Sequence, residues 1–98
     1  MNKQYTPFIQ KLEKIDSEMY QIVSAQHDKV MGPGVLDAKT KFLILLAVDA
    51  YAGLTGVRNI SDVARKMGAT ETEIAESLRI AYHNAGNKVL DCSMKAYE

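Results

Sequence analysis

The sequence has little of what usually shows how a small protein holds itself together or what it meets. One cysteine, Cys92, occurs in 98 residues. It excludes an intramolecular disulfide and fits a reducing cytosol. Lys plus Arg and Asp plus Glu are 12 each, for a formal net charge of zero. A nucleic-acid binder would carry a basic excess to neutralise phosphates, and a polybasic membrane anchor is equally absent. The longest apolar run, Phe42 to Val48, is far short of the roughly 20 residues that a bilayer span needs. Met1 to Gln10 lacks the apolar stretch of a signal peptide. No H-x-x-x-H, C-x-x-C or carboxylate cluster offers a metal site. The expectation is a cytoplasmic protein, a single domain over residues 1–98, with no metal, cofactor, membrane or nucleic-acid partner. A chain this short has a thin stability margin, which leaves burial against further copies of itself as the remaining support.

What is present is helical periodicity. Val, Ile and Thr never alternate with polar residues over a strand length, whereas apolar residues recur every three to four positions. Pro7 suits the first turn of a helix running from about Thr6 to Val30, with Phe8, Leu12, Ile15, Met19, Ile22 and Gln26 forming a seam for a partner helix. His27 falls near its end, where positive charge suits the helix dipole, and Gly32-Pro33-Gly34 stops it. Asp37 is a good N-cap for a second helix to about Ala52. Its Phe42–Val48 stretch is apolar on every side and needs covering on every side, more than its own chain supplies, so a subunit interface is expected.

Gly53 to Asn59 reads as a break, followed by a short helix from about Ile60 to Met67 that ends at Gly68. Thr70-Glu71-Thr72-Glu73 is a capping box. It opens a helix with Ile74, Leu78, Ala81, Tyr82 and Ala85 on one face, which ends near Gly86. Asn87 to Tyr97 forms a last short helix. The fold class is therefore all-α, with about five helices.

The order of these elements carries a resemblance. Gly32-Pro33-Gly34-Val35-Leu36-Asp37-Ala38-Lys39-Thr40-Lys41, then the apolar helix, then Gly68-Ala69-Thr70-Glu71-Thr72-Glu73-Ile74-Ala75-Glu76 is similar to the carboxymuconolactone decarboxylase / alkylhydroperoxidase D family over about Gly32 to Gly86. The resemblance implies an alkylhydroperoxidase D-like helical domain that assembles as a homo-trimer or hexamer. Redox-active relatives carry C-x-x-C-x-x-x-H at the start of the short helix, where the helix N-terminus lowers the attacking thiol's pKa. Counted back from Gly68, those positions are Gly53, Gly56 and Ile60; a slip of one residue gives Leu54, Val57 and Ser61. The family's upstream glutamate falls on Lys41 or Phe42. None of these side chains forms a thiolate or serves that proton relay. Cys92 is expected to be a small buried hydrophobe.

Polar residues around the same corner are the remaining pocket candidates. Asp49 interrupts the apolar helix and is expected to be solvent-exposed or bonded to an N–H of the Gly53 loop. Tyr51 and Arg58 flank the lost motif, and Arg58 could hold a carboxylate ligand through two parallel bonds. His83 follows Tyr82 on the amphipathic helix, without an acidic or histidine partner at helical spacing. The leading expectation is a diverged family member without thiol-peroxidase chemistry that binds a small molecule or serves as a structural homo-oligomer. The enzymatic alternative is a cysteine-independent lyase or decarboxylase, which needs at least two of Asp49, Arg58 and His83 converging on one cavity.

A second alternative uses the same residues. Ile60 to Leu78, with Ala64 four residues before Gly68, has the pattern of a helix-turn-helix. Its would-be recognition helix presents Glu71, Glu73 and Glu76 at the end that approaches phosphates, with Arg79 the only cation before Lys88, and three carboxylates repel a polyanion. Random-sequence duplex DNA titrated at low salt should show no retardation on a native gel; a shift would restore the DNA-binding alternative.

Overall fold

A computed structural model describes residues 5–98; the first four residues of the start read above lie outside the described residues. Five α-helices and a terminal 3-10 turn make up the regular structure, with no strand among the described residues. The helices are α1 (Pro7–Ile15), α2 (Ser17–Met31), α3 (Ala38–Ala52), α4 (Val57–Lys66) and α5 (Glu71–Ser93). They form two compact units, Met1–Asp37 and Ala38–Glu98. No helix of the described residues is long and apolar enough to cross a membrane.

The first unit is a pair of helices where a single long one was expected. Asp16 leaves helical geometry (φ −151°, ψ 82°), and its carboxylate accepts from the backbone N–H of Met19 at 3.1 Å. A capping carboxylate is worth about 1 kcal/mol, enough to favour a break where Asp and Ser compete with the helical ladder. The expected seam is lost with it. Ile9 is the buried residue of α1 and none is buried in α2, while Phe8, Ile15, Met19 and Ile22 are exposed. Aromatic and polar contacts tie the two helices instead. The Tyr5 ring meets Tyr20 and His27 edge-on, at centroid distances of 6.2 and 5.0 Å. Its hydroxyl donates to the Asp28 carboxylate at 2.8 and 2.9 Å, and that hydrogen bond raises the Tyr5 hydroxyl above its usual range.

In the second unit α3 packs against both α4 and α5. The start after Asp37 and the end at Ala52 are as the sequence implies. Leu46 is fully buried and forms the core with Ile60, Ala64, Ala69 and Ile74, flanked by Phe42, Leu43, Leu45, Val57 and Leu78. Burying one such leucine contributes about 1.5–3 kcal/mol. Two helices cover only part of the apolar Phe42–Val48 stretch of α3, and Ile44 and Val48 remain exposed.

The short helix α4 begins at Val57, three residues before the expected Ile60, so the break shrinks to residues 53–56. Its end is as expected: Gly68 takes φ 101°, the left-handed geometry that favours glycine. The capping box also forms. Thr70 Oγ1 accepts from the Glu73 N–H at 3.1 Å, and Glu73 accepts from the Thr70 N–H at 2.9 Å. Past Gly86 the structure departs from expectation. α5 does not stop there but runs from Glu71 to Ser93, 23 residues in all, because Gly86 does not take positive φ and the helix continues across it. Tyr82, expected on the packed face, is 81% exposed.

Ion pairs hold the start of α5. Glu71 receives Arg65 through two nitrogens, at 2.6 and 3.1 Å, and Lys39 reaches Glu73 at 2.9 Å. The Arg65 hydrogen bond lowers the Glu71 carboxyl below its usual range, and the Thr70 backbone N–H followed by Lys39 does the same for Glu73. Carboxyls lowered on folding take up protons when the chain unfolds in acid. Their contribution to stability is therefore complete above the ordinary value of 4.5 and lost as pH falls through the lowered folded values. The thermal midpoint should fall on that acid side, and Glu73→Gln should flatten this part of the pH profile.

Candidate functional site at the junction of α3 and α4

The break between α3 and α4 is built by backbone bonds at the end of α3. The Leu54 N–H donates to the Asp49 carbonyl at 2.9 Å and the Gly53 N–H to the Ala50 carbonyl at 3.3 Å. Gly53 thereby takes φ 73°, where a side chain costs on the order of 1–2 kcal/mol. The chain then turns into α4 through Gly56. A Cβ at residue 56 would lie 2.7 Å from Asp49 Oδ2 and 3.3 Å from Ile60 Cδ1. The carboxylate of Asp49 thus occupies the room that any side chain at 56 would need.

Asp49 is 9% exposed, against the expectation of exposure or a side-chain bond to the Gly53 loop. It is the Asp49 carbonyl that the loop engages, while the side chain turns onto α4. The reason is helical phase: Asp49 follows Leu46 by three residues, so both point to the same neighbour. Ile60 is 5% exposed and belongs to the core with Leu46 and Ala64. The three positions Gly53, Gly56 and Ile60 thus supply a positive-φ turn, a close approach and a core contact.

The other candidates are spread apart. Tyr51 lines an open groove of about 570 Å³ with Ala85, Lys88, Val89, Cys92 and Ser93. The Lys88 ammonium stands 5.7 Å above the Tyr51 ring, within cation–π reach. His83 lines a second open groove of about 590 Å³ on α5, and Asn87 Nδ2 is 3.3 Å from its Nε2. Arg58 is exposed in the first turn of α4, and neither Asp49 nor Arg58 lines either groove. No pair among Asp49, Arg58 and His83 is brought together in these grooves. Cys92 is exposed, contrary to the expected burial, because the last turns of α5 extend beyond the core residues. Among the described residues no group of three or more His, Cys, Asp or Glu could hold a metal ion.

Lys88 was not singled out from the sequence. Its place over Tyr51 depends on α3 and α5 lying side by side, 37 positions apart in the chain, and no local pattern encodes that.

The profile of the carboxymuconolactone decarboxylase family matches residues 17–93, from the first residue of α2 to the last of α5. The chain belongs to the carboxymuconolactone decarboxylase family. No curated protein and no solved structure matches it. For this family member, the contact between Asp49 and residue 56 can be weighed directly. Gly56→Ala should destabilise by about 1–3 kcal/mol through overpacking. In an Asp49→Ala background, where the carboxylate is gone, the same change should cost much less. Chemical denaturation of the two single variants and the double variant measures this coupling; strictly additive costs would show that the carboxylate does not fill the room beside Gly56.

Proposed function

We propose that this member of the carboxymuconolactone decarboxylase family has no thiol-peroxidase chemistry and works as a homo-oligomer whose subunits bind a small molecule. The contact of the Asp49 carboxylate with Gly56 carries the first part. Where redox-active relatives place the second sulfur, this chain has an oxygen of its own, 2.7 Å from where a Cβ at residue 56 would lie. The first sulfur's position has a positive-φ glycine, and the histidine's position is a buried isoleucine. Cys92, on α5, has no second cysteine to close a disulfide with.

Small-molecule binding is supported by the groove between Tyr51 and the last turns of α5. It is a shallow, open groove of about 570 Å³. The Lys88 ammonium above the Tyr51 ring supplies a cation for an anionic ligand. Oligomerisation is supported by the large apolar side chains left exposed in the second unit, Ile44 and Val48 on α3 and Tyr82, Val89 and Leu90 on α5.

The peroxidase reading is tested by following consumption of hydrogen peroxide and an alkyl hydroperoxide with a dithiol donor. The expected rate equals that of donor alone, in the native chain and in Cys92→Ser. Turnover above that baseline overturns the reading.

A further inference from the structure

We draw no further inference here: the strongest candidate, the exposed apolar stripe of Tyr82, Val89 and Leu90 around Gly86 on α5, is a helix face for which nothing in the structure shows what covers it.

Discussion

The carboxylate of Asp49 rests against the one residue of the α3–α4 junction that has no side chain and an ordinary backbone, and the geometry of that corner depends on this contact. Gly56 lets α4 begin close to α3, which brings Ile60 and Ala64 against Leu46. A larger residue at 56 would push the first turn of α4 outward and open the core on that side. The corner is thus closed by packing and occupied by oxygen. On the proposed reading, the place where relatives carry out thiol chemistry has become part of the scaffold in this chain.

On the same proposed reading, binding falls to a different part of the second unit. The groove beside Tyr51 owes its walls to the last turns of α5, which exist as helix because Gly86 does not end the ladder. The same continuity exposes Cys92 and carries the Tyr82–Leu90 stripe. A glycine that first reads as a terminator thus bears on the groove. Glycine tolerates helical dihedrals at a cost of about 1 kcal/mol, and it ends a helix where it takes left-handed geometry itself, as Gly68 does and Gly86 does not.

The two units differ in what holds them. The second has an apolar core around Leu46, whereas the first relies on Tyr5, which joins Tyr20, His27 and Asp28 of α2 to the start of the chain. Among the described residues of that unit, Ile9 alone is a buried hydrophobic residue. The break at Asp16 accounts for this, because it puts α1 and α2 out of phase and the seam from Phe8 to Ile22 cannot close on one partner. Asp16-Ser17 with Met19 three residues beyond is a local N-cap signal that identifies the break once weighed against periodicity.

By itself the sequence determined the helical class, the start of α3 after Asp37, the left-handed stop at Gly68, the capping box at Thr70 and Glu73, and membership of the family. Each of these follows from residues within one or two turns of one another, or from their order along the chain, so no distant contact is needed to read them. Only the tertiary structure decided that Asp49 is buried, that Lys88 stands over Tyr51, that Tyr82 and Cys92 face outward and that Asp49, Arg58 and His83 do not share a groove. These outcomes turn on which helix lies opposite a given face and at what distance. That is set by the closest approach the small residues permit, a property of pairs of segments that neither segment encodes alone.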